Sequence, residues 1–233
     1  MRSQKAGFMP QSQFAITALV PMRHHSERVP GKNYRPFAGR PLYAHILTTL
    51  QQIPDIDAIV VDTDSPVILQ GLAEDFPDVI RLERPEHLRG GMVPMNDILL
   101  YDTQQVESSF YLQTHSTNPL IKPATIKHAL DAFLKAHPQH DALFSVTRFQ
   151  TRLWDEEGKP VNHDPTELIR TQDLPPLYVE NSCLYVFERD AFHRTGNRLC
   201  TNPTMWEIDA IEAIDIDEEV DFTMAECIAS SEW

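Results

Sequence analysis

No run of about eighteen apolar residues occurs in the 233-residue chain, so nothing in it reads as a membrane-spanning helix. The opening residues 1–13 are polar, with no apolar stretch behind their charges, unlike a secretion signal. These absences predict a soluble, cytoplasmic protein. Cysteine is sparse: Cys183, Cys200 and Cys227 show no CxxC spacing, and an odd number cannot all pair within one chain. They are expected to be reduced and mostly packed. Glycine-rich phosphate fingerprints are also missing. There is no GxxxxGK[ST] and no GxGxxG, which excludes a Walker loop and disfavours a dinucleotide-binding dehydrogenase. Finally, no Lys or Arg follows Arg198, while acids from Glu207 to Glu226 accumulate.

What remains is unevenly distributed charge. A formal charge of −14 repels a phosphate backbone, so nucleic acid is not an expected partner. Against that background Arg23, Arg28, Lys32, Arg35 and Arg40 crowd into eighteen residues beside His24 and His25, opposed only by Glu27. Such a patch fits a small polyanion.

Short β-branched runs alternate with amphipathic stretches of helix length, the signature of βαβ units around a mostly parallel sheet. Strands are expected at residues 14–20, 58–61, 79–82, 110–113, 142–147 and 178–187. Helices are expected from Pro41, from Pro66 with Asp64 or Ser65 as cap, and over residues 96–106, 123–136 and 218–229. Residues 149–176 are charged and proline-containing and read as an excursion from the sheet, a dimerisation or acceptor arm. One domain, residues 1–233, accommodates all of this.

Ligands gather at the carboxyl ends of parallel strands, so the loops after the strands hold the candidate chemistry. The loop from Pro21 to Asn33 offers guanidinium forks, an ammonium, a hydroxyl and backbone N–H groups, suited to a triphosphate. Asp215 and Asp217, two apart on an extended segment, share one face and suit Mg²⁺ shared with phosphate oxygens. Asp217 equally suits the cap of the last helix. His115 taken alone reads as a structural histidine.

Five segments together resemble the acylneuraminate cytidylyltransferase family, which includes the CMP-sialic acid synthetases and, more distantly, the CMP-Kdo synthetases. They are Arg23, Ser26, Pro30, Lys32, Asn33, Gly39, Pro41 and Leu42; Arg84-Pro85-Glu86-His87-Leu88; Leu112 to Leu120; Arg170-Thr171-Gln172 with Asn181 and Tyr185; and Ile214-Asp215-Ile216-Asp217 with Asp221. The resemblance implies a three-layer Rossmann-like nucleotidyltransferase fold. It also implies a homodimer and transfer of CMP from CTP to the anomeric hydroxyl of an acidic nine-carbon (nonulosonic) sugar, with pyrophosphate leaving on Mg²⁺.

By the same resemblance Arg23, Ser26, Arg28, Lys32 and Asn33 hold the CTP phosphates and Arg84 meets the cytosine. Gln113, Arg170 and Asn181 contact the sugar, Arg170 at its carboxylate. Asp215 and Asp217 bind the metal, and Arg23, Lys32 and Asp217 are the catalytic set. Three departures stand out: residues 89–95 replace a Ser/Thr/Asp-rich loop, Ser182 replaces a glycine, and the 113–120 loop is longer and has no acidic metal ligand. The last favours the sialic-acid-like branch. Alternatives are a nucleotidyltransferase with another acceptor and a catalytically silent nucleotide sensor.

Overall fold

Both faces of the central strands carry apolar side chains, so the sheet needs cover on each side. The structure, a computed structural model, describes residues 14–231; the polar opening stretch lies outside the described residues. In chain order the strands are β1 (Phe14–Leu19), β2 (Pro36–Phe37), β3 (Arg40–Pro41), β4 (Ala58–Thr63), β5 (Ile80–Glu83), β6 (Ser108–Thr114), β7 (Ala142–Phe149), β8 (Leu177–Glu188) and β9 (Pro203–Glu207). The helices are α1 (Leu42–Gln51), α2 (Pro66–Asp75), α3 (Met95–Gln105), α4 (Pro123–Ala136), α5 (Arg189–Thr195) and α6 (Glu219–Ala229).

Seven strands form one sheet in the order β5-β4-β1-β6-β8-β7-β9, and β2 and β3 pair as a separate small ladder. β1 is parallel to β4 and β6, β4 to β5, and β7 to β9. β8 alone runs against its neighbours β6 and β7. The expected mostly parallel α/β architecture is therefore what the chain forms.

Period-two alternation divides the core into two layers. Ile16, Ala18 and Val20 of the first strand region face a cluster that includes Ile46 of α1, Leu72 of α2 and Ile126 of α4. Leu19, Val60, Tyr111 and Phe187 face the other side, with Leu99 of α3 and Phe192 of α5. A third cluster joins Phe222 and Ala225 of α6 to Val29, Phe37, Leu42 and Ile216. This last contact docks the acidic C-terminal segment against the basic loop.

Local signals set the helix starts. Ser65, not Asp64, caps α2 by accepting from Ile68 N–H at 3.3 Å, with Pro66 in the first turn. Glu218, not Asp217, caps α6 in a reciprocal box with Asp221, which leaves the Asp217 carboxylate outside the cap. The sequence reading did not anticipate β9, α5 or the β2–β3 pair. β9 is a five-residue edge strand without buried alternation, and α5 is too short to show a period.

Residues 150–176 leave the sheet as expected, holding only a Trp154–Pro160 bridge and the one-turn 3-10 helix Thr171–Asp173. Leu168 is 91% exposed there, and Trp154 and Val161 are more than half exposed. All three cysteines are free; Cys183 is buried, Cys200 is partly so and Cys227 is exposed, so the packed reading holds for the first two. Among the described residues no helix is long and apolar enough to cross a membrane.

Gly71 in α2 lies directly beneath Tyr43, where an added Cβ would sit 2.1 Å from the buried phenol's oxygen. Alanine usually gains about 1 kcal/mol over glycine inside a helix. Here overpacking outweighs that gain, and Gly71→Ala is expected to lower stability by about 1–3 kcal/mol in urea unfolding. A rise in the unfolding midpoint would show that the Tyr43 ring moves aside freely.

Candidate active site

The loops following the parallel strands meet in a cleft of about 780 Å³. The loop after β1 supplies one wall. Val20 and Met22 prolong the parallel ladder by donating to Val60 O and Asp62 O, each at 2.9 Å, which carries the chain past the strand end. Gly31, at φ 67°, then takes the left-handed conformation that opens the short turn Lys32–Tyr34. The result is that Arg23, Ser26, Arg28, Lys32 and Asn33 all line the cleft.

Asn33 has a more specific task than the sequence suggested. Its buried amide donates to Arg23 O at 2.7 Å and accepts from Ser116 Oγ at 2.8 Å, pinning the basic loop to the loop after β6.

The facing wall is the extended segment before α6. Ile216 is fully buried and its N–H donates to Thr117 O at 2.9 Å, so Asp215 and Asp217 on either side of it both line the cleft. Arg28 donates to Asp217 at 2.7 Å and to Glu218 at 3.3 Å. Lys32 donates to Ile216 O and lies 3.7 Å from Asp217. Burial pushes the Lys32 ammonium below its ordinary value, against the pull of Asp217 and Asp215. Burial also pushes the Asp215 carboxyl up, and its Oδ1 has no hydrogen-bond partner.

Six cationic side chains, Arg23, Arg28, Lys32, Arg84, Arg89 and Arg198, line the cleft against four acids, Glu27, Asp64, Asp215 and Asp217. On a chain of charge −14 this is a local reversal of sign, and field lines from a low-dielectric cleft draw a polyanion there. Residues 89–93 also line it, so the loop whose sequence departs from the family pattern still forms a wall. Arg23 reaches across to Gly91 O at 3.5 Å.

Arg84 is only 1% exposed and is ion-paired with the buried Asp62, yet it contributes to the cleft lining. Its Nη1 is a buried donor without a protein partner. Beneath it lies Asp102 on α3, whose carboxyl is raised to about 9, first by burial and then by the neighbouring Asp62. Burial beside a second carboxyl favours the protonated form of Asp102. Neither Asp102 oxygen has a hydrogen-bond partner, which a neutral carboxyl tolerates better than a carboxylate.

The remaining expected sugar contacts are not on the cleft wall. Gln113 is fully buried and donates to His115 Nε2 at 2.8 Å while accepting from Arg198 at 2.6 Å. Asn181 bridges β7 and β8 through Ser145 at 2.6 Å and Thr147 at 2.9 Å, and it is the adjacent Ser182 that lines the cleft. The pairings Phe144 with Tyr185 and Val146 with Glu180 leave residues 181–184 bulged opposite Ser145, and Ser182 adopts φ 58° at that bulge. Arg170 lies outside the cleft lining, is 73% exposed and forks onto Asp173 at 2.7 and 3.1 Å.

Arg198 and His115 are among the lining residues not singled out for binding from sequence. Arg198 being the last basic residue before the acidic stretch was the available signal. Burial lowers His115 to about 4, helped by Arg198 and Lys32, so it is neutral.

A cation-rich cleft at the carboxyl edge of a mostly parallel, helix-covered sheet, with carboxylates facing the cations, suits an α/β enzyme that handles a nucleotide, and comparison with known proteins identifies it as a nucleotidyltransferase. The cytidylyltransferase family model matches residues 17–223, and the chain belongs to that family. It is 29% identical to the CMP-N,N'-diacetyllegionaminic acid synthase of Legionella pneumophila, with 91% of this chain and 94% of that protein covered. It is 26% identical to the N-acylneuraminate cytidylyltransferase of Oncorhynchus mykiss over 91% of this chain, spanning 49% of that longer protein. The solved CMP:2-keto-3-deoxy-manno-octonic acid synthetase complexed with CTP has the same fold, with a TM-score of 0.68 at 14% identity over 93% of this chain and 98% of that one.

A proton retained by folded Asp102 is released by the unfolded chain above its ordinary value, so stability falls as pH rises from about 4 towards 9. One fully linked proton gives a slope of about 1.4 kcal/mol per pH unit. Asp102→Asn keeps a donor toward Asp62 and is expected to flatten urea-unfolding free energies between pH 5 and 8. An equally steep profile in the variant would remove the buried proton from the account.

Proposed function

We propose that this cytidylyltransferase transfers CMP from CTP to the anomeric hydroxyl of a nonulosonic, sialic-acid-like sugar and releases pyrophosphate. The observation that carries this reading is the meeting, in one cleft, of the basic loop after β1 and the Asp215–Asp217 segment, whose Arg28 and Asp217 touch across 189 residues of sequence. The legionaminic and acylneuraminic acceptors named for two relatives support the sugar class.

In the proposed reaction the anomeric hydroxyl gives up its proton to water as its oxygen bonds to the α-phosphorus, the bond from that phosphorus to the bridging oxygen breaks, and the bridging oxygen leaves with pyrophosphate. Positioning and charge neutralisation supply most of the acceleration in such transfers. Arg23, Arg28 and Lys32 neutralise the phosphates, and Ser26 donates a hydroxyl. Asn33 holds the loop in shape, and Arg84 offers its unpartnered Nη1 to the cytosine. Asn181 clamps the bulge that presents Ser182 to the acceptor.

Asp215 and Asp217 fit a divalent cation, Mg²⁺ by the hardness of their oxygens: Asp215 Oδ1 is a buried oxygen without a partner, and both residues line the cleft. Among the described residues no cluster of three or more ligating side chains forms, so Asp215 and Asp217 would hold the ion together with ligands from outside the chain. When bound there, the ion supplies neutralisation of the leaving charge. Arg28, now on Asp217, is free to turn to the phosphates once that carboxylate has another cation.

The arm, with Leu168, Trp154 and Val161 exposed, is the proposed homodimer surface. Light scattering is expected to give twice the chain mass, and Leu168→Asp is expected to reduce it toward one chain.

The decisive assay is pyrophosphate release from CTP and Mg²⁺ over a panel of nonulosonic acids, with ATP, GTP and UTP as controls. Release confined to CTP is expected. Lys32→Ala and Asp217→Ala should each lower turnover by about 10²-fold or more without lowering the melting temperature. Wild-type turnover in either variant would exclude that residue from the chemistry. CTP binding with silence across the acids would favour another acceptor.

A further inference from the structure

Resting on the proposed acceptor class, we infer that Arg198, rather than Arg170, receives the carboxylate of the acceptor sugar. Arg198 lines the cleft and is held from the β6 and β8 side, whereas the phosphate-directed cations come from the loop after β1. Its guanidinium lies over the Tyr185 ring, 3.5 Å from the centroid, and Nη1 donates to Gln113 Oε1 at 2.6 Å. Among the described residues it makes no ion pair with any carboxylate. The nearby Glu180 hydrogen-bonds to the Tyr185 hydroxyl.

The surrounding hydrogen bonds fix the orientation of the guanidinium. Arginine only donates, so Gln113 must turn its oxygen toward Arg198 and its NH₂ toward His115 Nε2, at 2.8 Å. His115 therefore accepts at Nε2 and carries its proton on Nδ1. A half-buried guanidinium held directly by an amide oxygen and a phenol ring, with Glu180 nearby but no carboxylate in ion-pair contact, is aligned and keeps donors free, and a planar carboxylate matches its fork. Arg170 is already paired with Asp173 and lies outside the cleft lining of its own chain.

The test uses the full chain with CTP, an accepted nonulosonic acid and the carboxamide of that acid. Arg198→Gln is expected to raise the KM for the acid on the order of 10–100-fold while CTP affinity, measured without acceptor, stays unchanged. Wild type should prefer the acid to its carboxamide, and Arg198→Gln should lose that preference. Arg198→Lys should recover only part of it, because an ammonium lacks the fork. Unchanged acid KM and preference in Arg198→Gln overturn the inference and leave the proposed reaction standing. Weaker CTP binding with an unchanged acid KM reassigns the guanidinium to the nucleotide. A wild-type enzyme that binds CTP but uses no acid overturns the proposed function and this inference together.

Discussion

Attraction between two distant stretches of sequence shapes the cleft. The basic loop repels itself and the acidic segment before α6 repels itself, yet each supplies the counter-charge the other lacks. Lys32 and Arg28 engage Asp217 and the Ile216 carbonyl, and Arg35 pairs with Glu219 at 2.7 Å. The two arginine contacts are largely solvated, so their net stabilisation is modest, on the order of 0–1 kcal/mol each. The burial of Phe222, Ile216 and Val29 holds the segments together, and the charges decide what faces the cleft.

A second arrangement beneath the cleft obeys a stricter rule. Arg84, Asp62 and Asp102 are almost wholly removed from water, where an unpaired charge is costly and a half-matched network is worse than none. One guanidinium, one carboxylate and one protonated carboxyl balance. The ion pair fixes the Arg84 guanidinium from below, so its orientation is set by the protein alone. The exposed arginines of the first loop are less constrained.

Much of this was legible in the sequence. Alternating apolar runs located six of the seven sheet strands, and proline with Ser65 marked the start of α2, because both signals are local. The first-loop cations and the Asp215–Asp217 pair were legible too, since period two and a buried Ile216 bring both aspartates to one side. Arg198 was not, because its meaning comes from Gln113 and Tyr185, 85 and 13 positions away, and no spacing encodes that meeting. Arg170 stands apart from the cleft of its own chain for the converse reason: a guanidinium fork suits any carboxylate, and Asp173 three residues on is paired with it. Gln113 and Asn181 stood in the right places but face inward, as ties between strands.

The reversed direction of β8 has an architectural consequence. β7 ends and β8 begins at the same edge of the sheet, with Phe149 opposite Leu177, so a tight hairpin turn would suffice to join them. Residues 150–176 are thus a detachable appendage in the topological sense: the sheet closes identically whatever is threaded there. Selection can lengthen, trim or rewrite that appendage while the layers beneath keep their register. Variation in the appended segment and constancy in how the chain folds are thereby assigned to separate stretches of one polypeptide.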